Sequence, residues 1–475
     1  MDDRALWTVD ELVTATGGTI IGDIAQAFNG VSIDTRSIAA GDIFVAIKGD
    51  VHDGHDFVPA AFKAGAGLAI VSRLSNEIRG AGALLVVADD PLHGLENIGR
   101  AARERSHAQI AGITGSVGKT STKEMLRAAL SASGSTHASA SSFNNHWGVP
   151  LSLARMPRQT AYGVFEIGMN HAGEITPLGA MVRPHVAIIT SIAASHLGHF
   201  KSLDEIADAK AEIFSGMAAD GQAIINRDSP HYDRLVAGAH KAGVNRIVGF
   251  GKHDDAAIRL QRAALHAECC CITADVMGEE VIYKLGVPGM HMALNSLAVL
   301  GAVKLMGADL ARAAMALAAA QPAKGRGVRQ RLKIAGGELL LIDESYNANP
   351  ASVEAALALL AQAKPAPGGR RIAVLGDMLE LGQHGPALHA ALLRPVDEAM
   401  VDALYAAGPL MANLWENIPA ARRGAYADKS DGLREALIAD LRAGDVVMIK
   451  GSLGSRMGPL VEAIRAACPP VAKES

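Results

Sequence analysis

Residues 112–120, GITGSVGKT, form a glycine-rich segment between an apolar run and a stretch with helical periodicity. Glycines allow backbone N–H groups to approach a polyphosphate closely, and the following helix N-terminus favours bound anions. Lys119 can neutralise the charge of β- and γ-phosphates, and the hydroxyl of Thr120 can coordinate Mg²⁺. The common pattern has glycine at position 113, where this chain has isoleucine. The segment predicts a nucleotide phosphate loop; the alternative is an ordinary glycine-rich strand-to-helix turn.

Two further polar residues stand next to runs that predict strands of the same sheet. Glu166 lies in the apolar run VFEIG, and a buried carboxylate is unfavourable unless it is paired or bound to a metal. A carboxylate beside a phosphate loop is a natural Mg²⁺ ligand; the alternative is an acid exposed at a strand end. His196 follows the run Val186–Ser191, in a loop position where catalytic residues are common. Taken alone, a loop histidine is more often simply exposed to solvent.

Lys210 is unusual because it lies within an apolar stripe. Leu203, Ile206, Lys210, Ile213 and Phe214 recur at spacings of three and four residues, which is typical of one face of a helix. One interpretation is a lysine whose aliphatic stem covers the edge of the core while its amine reaches solvent. The other is a lysine with a lowered pKa that can react or be modified. The residues alone leave both interpretations open.

Strands and helices alternate around these residues. Apolar runs separated by helical stretches predict strands at 110–114, 163–167, 186–191 and 222–226, and a second series at 339–342, 371–375, 402–405 and 446–449. Such alternation is typical of mostly parallel α/β sheets, and a length of 475 residues favours three domains. We predict a small α/β domain at 1–88, a central phosphate-loop domain at 89–320, and a doubly wound, Rossmann-like domain at 321–475. Gln321–Gly327 is the predicted linker.

Composition argues against several classes of partner. The net charge of −4 and the pI near 6.5 lack the basic character of proteins that bind nucleic acids or membrane surfaces. We find no apolar run of about 18 residues, so membrane insertion is not expected. The acidic start MDDRALWTVDELV is unlike a signal peptide. Three of the four cysteines are consecutive, which suits neither a zinc site nor a disulfide framework. We therefore predict a cytoplasmic protein with reduced, partly buried thiols in a strand.

The chain resembles the Mur ligases, and the resemblance covers nearly its whole length. The family's variant phosphate loop is similar to residues 113–120, which accounts for the isoleucine. The other segments that resemble the family are, in order, Asp34–Arg36, Gly41–Ala46, Asp53–Phe57, Asn144–Pro150, Glu166–Ile175, Tyr346–Pro350, Val374–Gly382 and Lys450–Ser452. Each segment is short, but their number and order are specific. Two positions depart from the family: Glu344 replaces an aspartate, and Met292 replaces an asparagine.

The resemblance implies roles for residues in all three domains. The implied catalytic residues are Lys119, Glu166, His196 and a carbamylated Lys210, and the implied Mg²⁺ ligands are Thr120, Glu166, His196 and the modified Lys210. ATP would be bound by Gly115, Ser116, Gly118, Lys119, Thr120, Ser121, Asn295, Arg326, Asp343 and Asn347. The substrates would contact Ser32, Asp34, Thr35, Arg36, Asn144, Asn145, Asp377 and Glu380. A carbamate turns the amine into an anion, which would explain a lysine within an apolar stripe.

The implied reaction is an ATP-dependent, ADP-forming ligation. A carboxylate of UDP-N-acetylmuramoyl-tripeptide, held at its UDP end by residues 1–88, would attack the γ-phosphate of ATP and give an acyl phosphate. The amine of D-alanyl-D-alanine would then displace phosphate, in a step of peptidoglycan precursor synthesis catalysed by a monomer. An amide ligase of the folylpolyglutamate synthase type is the alternative enzyme, which the N-terminal segments and Tyr346–Pro350 disfavour. A regulatory or motor nucleotidase is the alternative outside the ligases, and it would need no acceptor carboxylate.

Overall fold

The computed structural model describes residues 5–140 and 143–471, which fold around three main β-sheets. The N-terminal elements are β1 (Trp7–Thr8), α1 (Val9–Thr16), β2 (Thr19–Ile21), β3 (Ala27–Phe28), β4 (Val31–Ser32), β5 (Ile43–Val45), α2 (Val58–Lys63), β6 (Leu68–Val71), α3 (Asn76–Ala81), β7 (Leu84–Val86) and α4 (Pro91–Glu104). Five strands form a sheet in the order β2-β7-β6-β5-β4, with β2 antiparallel to β7 and the other pairs parallel. Helix α4 adds Leu95, Ile98 and Ala102 to the core of this sheet.

The central elements form a nine-stranded sheet. They are β8 (Gln109–Thr114), α5 (Lys119–Ser131), β9 (Thr136–Ala138), α6 (Gly148–Ala154), β10 (Tyr162–Glu166), α7 (Ile175–Val182), β11 (Val186–Ile189), α8 (Leu203–Ala211), β12 (Gln222–Asn226), α9 (Tyr232–Lys241), β13 (Arg246–Gly251), β14 (Ile258–Leu265), β15 (Cys270–Val276), β16 (Glu279–Leu285), α10 (Met290–Leu305) and α11 (Leu310–Leu317). The strand order is β16-β15-β14-β13-β12-β11-β8-β10-β9, parallel from β9 to β14 and antiparallel from β14 to β16. Apolar cores cover both faces of this sheet, as expected for parallel strands.

The C-terminal elements form a six-stranded sheet. They are β17 (Val328–Ile334), β18 (Gly337–Glu344), α12 (Pro350–Gln362), β19 (Arg371–Gly376), α13 (Gly385–Ala390), α14 (Leu393–Glu398), β20 (Ala403–Ala407), α15 (Ala412–Trp415), β21 (Arg423–Ala427), α16 (Arg434–Asp440), β22 (Val446–Lys450) and α17 (Gly458–Ala467). The strand order is β17-β18-β22-β19-β20-β21, in which β17 and β18 are antiparallel and the other pairs are parallel. Helix α12 packs on one face and helices α16 and α17 on the other. The predicted α/β class with mostly parallel sheets is confirmed; the boundaries at 88 and 320 stay predictions.

The parallel register of the central sheet brings the chemically interesting loops together. Strand β8 lies between β10 and β11, and all three run in the same direction. Their carboxyl ends therefore meet at one edge, where ligands of open α/β sheets usually bind. The loop after β8 contains Gly115 and Gly118, β10 ends at Glu166, and the loop after β11 contains His196.

The helix that contains Lys210 is shorter than its apolar pattern predicts. Helix α8 ends at Ala211, and Ile213 and Phe214 lie in a 3₁₀ turn, Glu212–Gly216. Both residues are still fully buried, whereas Leu203, at the start of the predicted stripe, is 37% exposed. The apolar stripe is therefore buried from Ile206 onward, while its first residue faces solvent at the start of α8.

The N-terminal sheet is fixed to the central sheet through α6 and the loop that follows it. Trp7 Nε1 donates to the carbonyl of Ala154 across 2.8 Å, and Arg158 forms an ion pair with Glu11. Glu11 also accepts from the backbone of Thr8, which caps α1. In the cysteine run, Cys270 is buried in β15, Cys271 is exposed, and all four thiols are free, as predicted. Within the described residues, no helix is long and apolar enough to cross a membrane.

Candidate active site

The phosphate loop turns between β8 and α5, and two of its glycines have no room for a side chain. Gly115 has a φ of 144°, and a Cβ there would lie 2.0 Å from Thr190 Oγ1. Gly118 has a φ of 90°, and a Cβ there would lie 2.5 Å from Asn295 Nδ2. Ile113 is fully buried inside β8. Position 113, where the common pattern has glycine, therefore belongs to the strand and not to the loop. This explains why the chain has isoleucine there.

The loop after β11 is hydrogen-bonded to the phosphate loop. The backbone N–H of Ser116 donates to the carbonyl of Ser191 across 2.8 Å. The hydroxyl of Ser116 donates to the carbonyl of Ala193 and accepts from the N–H of Ala193, both at 3.0 Å. Thr190 Oγ1 donates to the carbonyl of Val117 across 2.6 Å. These bonds fix the position of the loop at the N-terminus of α5, where a bound anion is favoured.

Lys119 begins α5 and folds back over the loop. Its Nζ donates to the carbonyl of Gly115 across 2.7 Å. Burial lowers the pKa of Lys119, an effect that nearby Glu166 opposes and Arg326 reinforces. An anion that entered the site would restore the charged form of this lysine. Lys119 is thus placed where a phosphate group would stabilise it.

Thr120 and Glu166 form a buried pair at the edge of the sheet. The hydroxyl of Thr120 donates to Glu166 Oε2 across 2.9 Å, and Asn144 Nδ2 donates to Glu166 Oε1 across 2.8 Å. Glu166 is 1% exposed, so the alternative of an acid exposed at a strand end is excluded. In residues 5–140 and 143–471, no group of three or more His, Cys, Asp or Glu side chains is arranged to hold a metal ion. Mg²⁺ usually takes one or two carboxylates and completes its shell with water and phosphate oxygens, so this oxygen pair fits Mg²⁺ beside a nucleotide.

His196 connects the central sheet to the C-terminal sheet. Its Nδ1 lies 2.5 Å from Glu380 Oε2, and the hydrogen bond with His196 lowers the pKa of Glu380. Both residues have left-handed backbones, with φ of 57° at His196 and 64° at Glu380. The imidazole is 20% exposed, so His196 is not simply a solvent-exposed loop residue. Its position is set by a carboxylate from another sheet.

Lys210 is buried with its amine. The residue is 1% exposed, which excludes the interpretation that its amine reaches solvent. Burial lowers the pKa of Lys210 well below its usual value, and the neighbouring Lys119 lowers it further. A neutral, nucleophilic amine is therefore favoured at this position.

A cleft between the phosphate loop and the C-terminal sheet, here named the phosphate-loop cleft, contains residues from α5, α10 and the end of β22. It is lined among others by Ser121, His291, Met292, Glu344, Asn347 and Lys450. Glu344 pairs with Lys450 at 3.3 Å, and burial lowers the pKa of Lys450. Glu344 therefore lines the cleft at a position where the family commonly has aspartate.

A second cavity, here named the Glu166 chamber, adjoins this cleft. Its walls include Asn144, Asn145, Glu166, Ser195, His196 and Glu380. Ser116, Lys119, Arg326 and Asn347 line both cavities. The guanidinium of Arg326 lies over the ring of Tyr346, 4.4 Å from its centroid. Two cations, Lys119 and Arg326, therefore stand at the boundary between the cleft and the chamber.

A third cavity, here named the N-terminal groove, lies between the first sheet and the central sheet. Asp34, Thr35 and Arg36 line it together with the aromatic residues Phe57, Phe143 and Trp147. The last two belong to the segment that also places Asn144 and Asn145 in the Glu166 chamber. One short segment therefore borders both cavities.

Six predicted site residues do not line these three cavities: Ser32, Gly115, Lys210, Asn295, Asp343 and Asp377. Gly115 and Lys210 are described above, and the other four make the following contacts. Ser32 is buried and donates to the carbonyl of Asp34, which shapes the turn. Asn295 lies against Gly118. The carboxylate of Asp343 accepts from Ser345 and lies 3.5 Å from Arg465. The carboxylate of Asp377 accepts from the N–H groups of Leu410 and Met411, and burial raises its pKa. The ligand contacts of these four residues stay predictions.

Several residues of the cavities were not predicted from the sequence. His291 and Lys450 line the phosphate-loop cleft, Phe143 and Trp147 line the N-terminal groove, and Ser195 lines the Glu166 chamber. Lys450 is at the end of a strand that resembles the family, and Trp147 is within a resembling loop, so both had a signal. No sequence signal marked Ser195 or His291 as a site residue, because single polar residues at loop and helix ends are common.

Comparison with known proteins covers the three parts of the chain. The model of the Mur ligase family catalytic domain matches residues 27–114, that of the Mur ligase middle domain matches 113–303, and that of the Mur ligase glutamate ligase domain matches 330–453. Among curated relatives is the UDP-N-acetylmuramoyl-tripeptide–D-alanyl-D-alanine ligase of Escherichia coli K12, 33% identical over 464 residues, with 96% of this chain and 98% of the relative covered.

Two further comparisons have similar coverage. The same-named ligase of Bacillus subtilis 168 is 31% identical over 462 residues, which cover 96% of this chain and 97% of the relative. A crystal structure of MurF from Acinetobacter baumannii matches the fold with a TM-score of 0.84 and 30% identity, over 97% of this chain and 99% of that one. The chain belongs to the Mur ligase family.

Proposed function

We propose that this chain is an ATP-dependent, ADP-forming ligase that joins D-alanyl-D-alanine to UDP-N-acetylmuramoyl-tripeptide in peptidoglycan precursor synthesis. The observation that carries the proposal is the boundary between the phosphate-loop cleft and the Glu166 chamber, which Lys119 and Arg326 both line. A phosphate donor in the cleft and a carboxylate in the chamber would meet at these two cations. Relatives with this activity in their names are similar over nearly the whole chain.

The phosphate-loop cleft is the proposed ATP site. Residues Ser116–Ser121 line the cleft, and a glycine-rich loop at a helix N-terminus binds polyphosphate. Thr120 and Glu166 would hold Mg²⁺, because their buried oxygens form a hard-ligand pair beside the loop. This ion would neutralise charge on the transferring phosphoryl group. Lys119 and Arg326 contribute positive charge on the same side.

Lys210 is the proposed carrier of a carbamate. Its amine is buried, has a strongly lowered pKa and stands near Lys119. A neutral amine can add to CO₂, and the resulting anion would be attracted by Lys119. Together with His196, the carbamate would provide ligands for a second Mg²⁺. The charge of the carbamate would be balanced by the neighbouring Lys119 and so would not stay isolated in the protein interior.

The N-terminal groove is the proposed site for the UDP end of the first substrate. Its aromatic wall of Phe57, Phe143 and Trp147 suits a uracil ring or a sugar face, and Arg36 provides a cation for the diphosphate. From there the tripeptide would pass along the segment that contains Asn144 and Asn145 into the Glu166 chamber. Residues 1–88 would thus hold the UDP end, 89–320 ATP, and 321–475 part of the nucleotide and the dipeptide.

The chamber would bring the acceptor to the activated carboxylate. The substrate carboxylate attacks the γ-phosphorus of ATP, which forms an acyl phosphate and releases ADP. The neutral amine of D-alanyl-D-alanine then attacks the acyl carbon, and the tetrahedral intermediate expels phosphate. Negative charge develops in both steps, and Lys119 and Arg326 stabilise it. Glu380, which lines the same chamber, would contact the dipeptide amine. The cytoplasm as the place of this reaction stays a prediction.

A coupled assay of ADP release tests this proposal. We expect ADP only when ATP, Mg²⁺, the UDP-linked tripeptide and D-alanyl-D-alanine are all present. Replacing the dipeptide with glutamate tests a folylpolyglutamate synthase type of ligase, and omitting both acceptors tests a plain nucleotidase. Sustained ADP release without the UDP-linked tripeptide would refute the proposal. Lys119→Ala is the site control, with an expected loss of activity of about 10²-fold or more, as for a lost transition-state contact.

A further inference from the structure

Ser195 presents a buried hydroxyl group to which nothing above assigns a role. The residue lies in the wall of the Glu166 chamber and is 6% exposed. In the described part of the chain, its Oγ has no hydrogen-bond partner. A hydroxyl removed from water without a partner is unfavourable. Such a group in a cavity wall is therefore suited to a ligand.

The loop around Ser195 is fixed on both sides. On one side, Ala193 exchanges two hydrogen bonds of 3.0 Å with the hydroxyl of Ser116 in the phosphate loop. On the other, the N–H of Gly198 donates to the carbonyl of Glu380 across 2.8 Å. The N–H of Ser195 itself donates to the carbonyl of Ala193 across 2.7 Å. These bonds fix the backbone of Ser195 at the wall of the chamber.

The surroundings of the hydroxyl favour an anionic partner. Lys119 and Arg326 bring positive charge to the chamber, while both oxygens of Glu166 already accept hydrogen bonds from Thr120 and Asn144. Hydrogen bonds from neutral donors to anionic oxygens are stronger than those between neutral groups. The free hydroxyl is thus a donor in a chamber that is arranged for an anion.

We infer that Ser195 is a catalytic residue whose Oγ donates a hydrogen bond to a phosphoryl oxygen of the acyl phosphate. The inference rests on the proposed ligase function and adds a donor to it. Because Ser195 lines the chamber and not the phosphate-loop cleft, its contact forms when the phosphoryl group has moved onto the substrate carboxylate. The loss of this donor should therefore lower kcat and leave the KM for ATP unchanged.

Ser195→Ala separates this role from a structural one. We expect kcat to fall about tenfold, as for the loss of one transition-state donor at the low end of the known range. We expect the KM for ATP to stay within about twofold and the apo-protein Tm to be equal or higher, because an unpaired buried hydroxyl is removed. Ser131→Ala is the matched control: its exposed hydroxyl donates to the carbonyl of Arg127 at the far end of α5.

Two outcomes would overturn the inference. A kcat within about twofold of the unmodified enzyme would mean that the hydroxyl does not contact the reacting group. A lower Tm together with a lower kcat would mean that Ser195 supports the fold and not the reaction. An unmodified enzyme that released no ADP with the two acceptors would instead refute the proposed function, so the two failures are distinguishable.

Discussion

The Nδ1 atom of His196 lies 2.5 Å from Oε2 of Glu380, and the two residues lie in loops that follow β11 and β19, strands of different sheets. Gly198 lies two residues after His196, and Gly382 lies two residues after Glu380. These two glycines bring the backbones of the two loops into contact. A Cβ on Gly198 would lie 3.1 Å from Gly382 N, and a Cβ on Gly382 would lie 2.9 Å from Gly198 Cα. The hydrogen bond therefore depends on a close approach that only glycine allows. The packing of the loop after β19 against the loop after β11 and the orientation of His196 therefore depend on each other.

Gly198→Ala tests this coupling. The φ of Gly198 is outside the left-handed region, so the substitution adds a methyl group without backbone strain. The methyl group should separate the two loops by a few tenths of an ångström and lower kcat about tenfold, equivalent to ~1.4 kcal/mol. Small-angle X-ray scattering with a bound ATP analogue should show a more open average shape. Gly80→Ala is the control, since its Cβ meets no atom within 4 Å; equal kinetics for both variants would contradict the coupling.

Lys210→Ala tests the carbamate. The variant should lose activity by about 10²-fold or more, because the second cation loses an anionic ligand. Acetate or formate at high concentration should restore part of the activity by occupying the vacated space. Lys241→Ala, at an exposed lysine on α9, should be unaffected by either anion. If Lys210→Ala retained most of its activity, or if anions failed to raise it, the carbamate proposal would have to be abandoned.

Trp147→Ala tests the N-terminal groove. Trp147 lines the groove with Phe57 and Phe143, and stacking of a base on an aromatic ring contributes about 1–3 kcal/mol. The KM for the UDP-linked tripeptide should rise about tenfold or more, while the KM for ATP should not change. Trp147→Phe keeps an aromatic face, so its KM for the UDP-linked tripeptide should lie between those of the unmodified enzyme and Trp147→Ala. An equal rise in both KM values would point to a general loss of structure.

Glu11 makes the stability of the N-terminal part dependent on pH. Burial raises the pKa of Glu11, but the hydrogen bond from Arg158 and the contacts with Thr8 outweigh this effect and leave the pKa at about 2, below its usual 4.5. A carboxyl with a depressed pKa stabilises the fold above its unfolded-state pKa, and this contribution is lost as the pH falls through the folded-state pKa. The free energy of unfolding should therefore decrease from about pH 4.5 to about pH 2.

Glu11→Gln should remove this pH dependence. At pH 7 the variant should be less stable by about 1 kcal/mol, the usual value of a capping interaction. Between pH 4.5 and pH 2, urea titrations should show a smaller decline than in the unmodified protein. Glu104→Gln, at an exposed position near the end of α4, is the control. An identical acid decline in Glu11→Gln and the unmodified protein would assign the pH dependence to other carboxylates.

Local patterns were sufficient for the parts of the site that depend on a single loop or strand. Gly118, Lys119 and Thr120 follow from the loop composition, and Glu166 follows from an acid in an apolar strand, because each signal is contained in a few residues. The pattern around Lys210 left open whether its amine is buried or reaches solvent, and it overestimated the helix, since a 3₁₀ turn continues the apolar face beyond Ala211.

Contacts between distant segments could not be predicted in the same way. Asp377 and Glu380 belong to one motif and were both assigned to the substrate, but their directions depend on how the loop after β19 turns. The structure directs Asp377 to the N–H groups of Leu410 and Met411 and directs Glu380 to His196. The pairing of Glu344 with Lys450 likewise joins strands 106 residues apart. The spacing of residues along the chain does not predict contacts between such distant segments.

The most direct test of the central claim is the mass and stoichiometry of the product. After incubation with ATP, Mg²⁺, UDP-N-acetylmuramoyl-tripeptide and D-alanyl-D-alanine, mass spectrometry should show a single new UDP-linked species. Its mass should equal the summed masses of UDP-N-acetylmuramoyl-tripeptide and D-alanyl-D-alanine minus the mass of one water. ADP and phosphate should each form in a one-to-one ratio with it. Formation of AMP, or ADP release with no species of that mass, would contradict the account.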